Sequence, residues 1–242
     1  MMNRILKKVI AACLCLGVLL SGLMAASAAP YAIDEKVECT GYTDFSNPIL
    51  FQAEESSVSY RCFLIDLNGI KWRVAVMEQT YPYFEAAFTG KPMTFEGLYA
   101  GVANDGVAVI RPVTLIEGEQ RTNLMDYLWE LNKGSMDNLN FTAYNDLYGL
   151  GYLTVGEDGS YMEFDSNPWN LPSKGMAAQI DAIISTGLLE DMNKDFGLPD
   201  WLYEEMVSTR AVDGRQKEVF DHLTVTWSYH PDQGLEAIYR KN

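Results

Sequence analysis

Between Ser57 and Met77 the side chains change face at almost every step, and the run is broken once, at Asn68-Gly69. Ser57–Asn68 is rich in β-branched and aromatic residues. After the break Ile70, Trp72, Val74 and Val76 alternate with Lys71, Arg73, Ala75 and Met77. A period of two is the pattern of a strand with one face toward a core. Asn-Gly favours the positive φ values of a two-residue hairpin turn. Residues 57–77 are therefore predicted to form a β-hairpin. A lone hairpin is marginal in water, so its apolar face needs further strands or a helix.

The neighbouring sequence supplies both. Lys36–Thr43 is a short strand candidate, followed by a polar, turn-rich connection over residues 44–56. Tyr81–Thr89 carries Tyr81, Phe84, Ala87 and Phe88 at helical spacing, with Gly90 placed to end the helix. Lys91–Val102 and Gly106–Leu115 are two more strands, joined at Asn104-Asp105-Gly106. The order is three strands, a short helix, then two strands. Together with Phe88-Thr89-Gly90-Lys91-Pro92-Met93-Thr94-Phe95-Glu96-Gly97, it resembles the OB-fold, a five-stranded Greek-key barrel. The resemblance covers about residues 35–117. It implies a ligand face of the kind that takes single nucleic-acid strands or oligosaccharides.

Charge argues against the first of these. The net charge is −15, and single-strand binding needs a basic groove with stacking aromatics. Tyr60, Phe63, Trp72 and Tyr99 supply aromatics, but Lys71, Arg73 and Arg111 are scattered among acids. These aromatics read first as core. A carbohydrate or protein ligand remains compatible with the composition.

The second half repeats the theme with other elements. Thr122–Lys133 is amphipathic, with Leu124, Leu128 and Leu131 on one side, and is predicted as a helix bridging the halves. Residues 138–147 give no assignable pattern. Tyr148–Gly156 and Ser160–Asp165 read as strands about Glu157-Asp158-Gly159. Met176–Asn193 is predicted as a helix whose stripe is Met176, Ile180, Ile183, Ile184 and Leu188, with Asp181 and Glu190 off it. A second helix begins at Pro199, with Trp201, Leu202, Met206 and Val207 as its apolar side. His222–Tyr229 and Leu235–Arg240 alternate as strands about Pro231-Asp232-Gln233-Gly234, and Trp201 and Trp227 are expected as core anchors. The expected class is α+β: a five-stranded OB-like barrel over residues 29–119, then a small antiparallel sheet with helices on one face over 120–242.

The N-terminus reads as a secretory signal peptide over residues 1–28. Arg4, Lys7 and Lys8 precede an apolar run from Val9 to about Met24, and Ala26-Ser27-Ala28 offers a small-x-small cleavage site. Retention as an uncleaved anchor is the alternative, though the run is short for a span. Ile10-Ala11-Ala12-Cys13 mimics a lipoprotein box, but too few apolar residues precede Cys13. Without those three bases, 15 basic residues remain against 33 acids, a net charge of −18. Cleavage also leaves only Cys39 and Cys62. In an exported chain an even pair suggests one disulfide, and two buried thiols are the alternative. The expected location is the cell envelope or extracellular space, with no stable membrane span once the leader is gone.

Catalytic and metal signatures are sparse. There is no Gly-x-Ser-x-Gly and no His-Glu-x-x-His. Asp191-Met192-Asn193-Lys194-Asp195-Phe196-Gly197 has oxygen ligands at alternate positions, but Phe196 and Leu202 stand where a calcium loop needs Gly and an acid. It reads as a helix end, and neither a metal nor another cofactor is expected. The candidate ligand-binding residues are Arg210, Arg215, Trp227 and His230. The two arginines could clamp an anion in an otherwise acidic chain. His230 stands beside Asp232, which leaves a hydrolase as the alternative.

One further resemblance covers about 45 residues. Gly197-Leu198-Pro199-Asp200, Thr209-Arg210-Ala211, Gly214-Arg215-Gln216 and Trp227-Ser228-Tyr229-His230-Pro231-Asp232-Gln233-Gly234-Leu235-Glu236 are similar to the C-terminal segment of secreted proteins of unassigned function from Gram-positive anaerobic bacteria. The resemblance brings no catalytic residue. The expectation is an exported, non-enzymatic binding or interaction protein with an unknown protein or carbohydrate ligand. Nucleic acid is not expected as a partner.

Overall fold

The structure, a computed structural model, describes residues 31–52, 59–67, 69–172 and 175–242, with the side chains of residues 51, 52 and 59 excepted. The predicted leader and Asn68 lie outside the described residues. Contacts divide the chain between Leu131 and Asn132 into two compact units. Each is α+β, built on its own largely antiparallel sheet.

The first unit contains β1 (Lys36–Gln52), β2 (Ser59–Leu67), β3 (Ile70–Met77), α1 (Tyr81–Phe88), β4 (Pro92–Val102), β5 (Ala108–Glu117), β6 (Gln120–Asn123) and α2 (Leu124–Asn132). β2 and β3 pair as the expected hairpin, from Tyr60↔Met77 to Leu67↔Ile70. At the turn Asp66 Oδ1 accepts the Gly69 N–H at 2.6 Å, and Gly69 has φ 88°. The sheet order is β3-β2-β1-β4-β5-β6. A parallel contact, Arg73↔Val109 and Val74↔Ile110, also joins β3 to β5. The pairings β1–β2, β2–β3, β3–β5, β5–β4 and β4–β1 thus return to the strand they began on. Phe63, Ile65, Val74, Phe95, Tyr99 and Ile110 are fully buried and, with Phe84 of α1, make up much of the core.

β1 is the main departure from expectation here. The predicted short strand continues through the supposed connection as far as Gln52. Its first part pairs with β4, Lys36↔Leu98 to Tyr42↔Pro92, and its later part with β2. The polar stretch is an irregularity between Asp44 and Ile49, not a loop. Asp44 Oδ1 accepts both the N–H and the hydroxyl of Ser46, a local turn that lets the strand bend and resume. The N-terminal part of the predicted bridging helix is also different. Thr122 and Asn123 belong to β6, which pairs with β5, and Asn123 Oδ1 accepts the N–H groups of Met125 and Asp126 at the start of α2.

Cys39 and Cys62, expected as a bonded pair, are both buried free thiols. Cys62 lies opposite Ile49 of β1, and Cys39 opposite Phe95 of β4. Burial raises both thiols to about 11. Thiols held neutral in this way are poor nucleophiles.

The second unit contains α3 (Phe141–Tyr148), β7 (Leu153–Val155), β8 (Tyr161–Asp165), α4 (Met176–Asp195), α5 (Asp200–Ser208), β9 (Gln216–Val219), β10 (Leu223–His230) and β11 (Gly234–Lys241). The unassigned stretch is α3, capped by Asn140, whose Oδ1 accepts from Ala143 N at 3.1 Å. Tyr148, expected in a strand, ends this helix. The sheet has five strands rather than four, in the order β7-β8-β11-β10-β9, all antiparallel. Alternation buries one face: Met162 and Phe164 of β8, Val225 and Trp227 of β10, Ala237 and Tyr239 of β11.

α4 corrects the sequence reading most strongly. Met176 is 78% exposed and Ile183 51%, whereas Asp181, Ser185, Leu188, Leu189, Met192 and Asn193 are buried. The helix turns Met176, Ile180 and Ile183 of its apparent apolar stripe outward and keeps Leu188 inside. Each buried polar group on the inner side has a partner. The Tyr152 hydroxyl donates to Asp181 Oδ1 at 2.7 Å, and the Tyr239 hydroxyl to Asn193 Oδ1 at 2.7 Å. Ser185 Oγ donates back to the Ala182 carbonyl at 3.3 Å. Burying a polar group costs little once it is hydrogen-bonded, so these partners decide which face turns in. The two tryptophans separate likewise. Trp227 is 3% exposed, but Trp201 is 46% exposed beside Phe220 and is no core anchor.

Candidate functional site

Of the residues singled out at the C-terminus, Trp227 is buried and Arg210, Arg215 and His230 are exposed. Trp227 is in the core, and its Nε1 donates to Thr209 Oγ1 at 2.9 Å. Arg210 is exposed and held locally, with Asp213 accepting its backbone N–H at 2.8 Å and its guanidinium at 3.1 Å. That contact pulls the Asp213 carboxyl below its ordinary pKa. Arg215 is exposed just before β9. His230 is exposed at the end of β10, and its Nδ1 accepts the Asp232 N–H at 3.2 Å. The contact between His230 and Asp232 is thus made by the backbone of the turn and not by the carboxylate.

The calcium-like run is a helix end. Asn193 is held by Tyr239, Asp195 Oδ2 accepts the Tyr144 hydroxyl at 3.2 Å, and Gly197 closes the helix with φ 66°. Burial and the neighbouring Asp195 raise Tyr144 well above its ordinary pKa, and burial does the same to Tyr239. Among the described residues no group of three or more His, Cys, Asp and Glu is arranged to hold a metal ion.

A cavity of about 620 Å³ lies elsewhere in the second unit. Phe164 and Leu235 supply its sheet side, and Ala178, Asp181, Ala182, Ser185, Thr186 and Leu189 its α4 wall. Met206 and Val207, near the end of α5, add to it. The rim is the 166–172 loop and the turn carrying Tyr229, Pro231 and Asp232. Of the expected site residues, only Asp232, the partner proposed for His230, lines this groove.

Local chemistry fixes the rim. Asp165 Oδ1 accepts Asn167 N at 2.8 Å, and Asn167 Oδ1 accepts Leu171 N at 2.7 Å. Ser166 is tied to β11 twice: its Oγ accepts Leu235 N at 2.7 Å and its N–H donates to the Leu235 carbonyl at 2.9 Å. Gly234 is required there. Its φ is 89°, and a Cβ would fall 2.4 Å from Ser166 Oγ. Trp169 packs edge-on against Tyr152 at 4.9 Å, which anchors the loop above the tyrosine that holds Asp181.

Asp181 is the group of most interest. It is only 8% exposed and one of its oxygens is bound by Tyr152. The other has no partner among the described residues, and the residue forms part of the groove wall. Asp181 stood in the sequence reading only as an acid off the apolar stripe. Its spacing with Ser185, Leu188 and Met192, four, seven and eleven residues on, was the signal of a second, inward stripe.

The chain is therefore a two-unit α+β protein whose second unit has a walled groove with a buried carboxylate. No protein-family model, no curated protein and no solved structure matches it. Among the described residues no helix is long and apolar enough to cross a membrane.

Proposed function

We propose that the chain is an exported, non-enzymatic binding protein of the cell envelope or extracellular space, and that the groove beside α4 is its ligand site. The observation that carries this reading is the groove itself: about 620 Å³, a lining that mixes apolar and polar side chains, and a buried acid with an oxygen to spare. Ligand sites combine enclosure of this order with a small number of placed polar groups. The signal-like N-terminus supports export. For the first unit, the cycle of strand pairings and the helix between the third and fourth strands support an OB-like five-stranded barrel.

The test is resonance mapping. Small polar molecules added to the isotope-labelled chain are expected to shift backbone signals of residues 166–172, 178–189 and 229–235. Ala182→Trp, which fills the groove from an exposed helix position, is expected to abolish those shifts. Shifts confined to other surfaces would sink the groove as the site. Turnover of a glycan, ester or peptide, lost in His230→Ala, would replace the binding reading with a hydrolase. Export is checked separately: the N-terminal residue of the secreted form is expected to be Ala29.

A further inference from the structure

We propose that the groove selects a primary ammonium group carried on an aliphatic stem; this rests on the groove being a ligand site. Several of its polar groups are already committed to neighbours. Asn167 Oδ1 and Nδ2 are both turned to the Leu171 backbone, at 2.7 and 3.3 Å. Thr186 Oγ1 donates to the Ala182 carbonyl at 2.6 Å, and Ser185 Oγ donates to the same carbonyl. The Tyr152 hydroxyl is committed to Asp181. What remains on the wall and rim includes two acidic groups, the second oxygen of Asp181 and the side chain of Asp232, beside the neutral side chains of Ser166, Asn170 and Tyr229.

An ammonium group has three donors and no acceptor, so it matches such a site. A neutral sugar hydroxyl can pair with the Asn170 and Tyr229 side chains, but it gains less than a cation does from the two acidic groups. Two acidic groups on one groove disfavour an anion. Phe164, Leu189, Met206 and Leu235 give the groove an apolar part, which suits a hydrocarbon stem. A primary amine with a pKa of about 10.4 is charged at neutral pH. The acidic chain raises the local concentration of such cations.

Calorimetry at neutral pH with 1-aminopentane, 1-pentanol and glucose tests this on the purified chain. The amine is expected to bind at least about tenfold more tightly than the alcohol of equal length, the scale of a charge-assisted hydrogen bond. Asp181→Asn keeps an oxygen for Tyr152 and is expected to erase that preference with an unchanged urea midpoint. Asp232→Asn, at an exposed position, is expected to reduce it in part. Equal binding of amine and alcohol, or an undiminished preference in Asp181→Asn, overturns the inference. So does amine binding that survives Ala182→Trp, since it would then be attraction to the acidic surface. Glucose or pentanol bound without amine preference, and blocked by Ala182→Trp, overturns the inference and leaves the groove as the ligand site. Binding of none of the three overturns the inference, and the resonance mapping then decides the groove by itself.

Discussion

Arg73 in the first unit and Asp181 in the second are both charged and both buried, and the two are handled in opposite ways. Arg73 Nε and Nη2 grip Asp105, the Nε contact at 2.7 Å. Its Nη1 is sealed from solvent with no partner among the described residues. Arg111, buried on β5, meets Asp34 in the same manner. In each pair the acid sits partly in solvent and the base is enclosed. What is unsatisfied there is closed off, and it can only cost stability. Asp181 is held by a neutral hydroxyl, and its remaining oxygen belongs to a residue of an open groove wall. The difference separates charge that fastens a loop to a sheet from charge left available to a ligand.

The contrast can be broken most sharply at Asp105. Asp105→Ala leaves the Arg73 charge buried and uncompensated, and is expected to cost about 3 kcal/mol in urea unfolding. A loss below about 1 kcal/mol would show that the ion pair does not hold the β4–β5 loop. In the second unit the comparable closed contact is neutral. Tyr239→Phe strands the buried Asn193 oxygen and is expected to cost about 1–2 kcal/mol by the same measurement. An unchanged midpoint would mean that Asn193 finds another donor.

Acid separates the units more gently. The hydrogen bond from Arg73 holds the Asp105 carboxyl below its ordinary pKa. A depressed folded-state pKa contributes stability that is present above the unfolded value of about 3.9 and lost as pH falls through the lower folded value. Unfolding free energy measured from pH 5 down to pH 2 is expected to fall less steeply in Asp105→Asn than in the parent. Equal slopes would remove Asp105 from the acid response. The smallest effect belongs to Asp181→Asn. Its stability is expected to stay within about 0.5 kcal/mol of the parent, because Tyr152 keeps an acceptor. A large loss would make Asp181 another fastening charge.

What could be read from the sequence was whatever is decided within a dozen residues. The β2–β3 hairpin, α1, and the β10–β11 pair follow from local period and turn chemistry. What escaped was decided by partners far along the chain. The length of β1 depends on Asp44 folding onto Ser46 and on two different neighbouring strands. The orientation of α4 depends on Tyr152 and Tyr239, 29 and 46 residues from the groups they satisfy. Hydropathy alone put Ile180 and Ile183 inside. Two of the expected C-terminal site residues are occupied close by. Arg210 is satisfied three residues away and Trp227 by Thr209, so neither is left over. The groove is built from an irregular loop, a helix face that looked polar, and a turn, none of which carries a pattern of its own.

The contact between β3 and β5 has a consequence in time. It consists of two register pairs, Arg73↔Val109 and Val74↔Ile110, and it alone completes the cycle of strands. The β2–β3 hairpin can form early from near neighbours, but this seam must wait until α1 and β4 have been laid down, because closing a longer loop costs more chain entropy. The seam of the first unit should therefore close after the rate-limiting step of refolding. Val109→Ala is expected to speed unfolding while leaving the refolding rate nearly unchanged in stopped-flow measurements. A refolding rate that falls in proportion to the lost stability would place the seam in the nucleus instead.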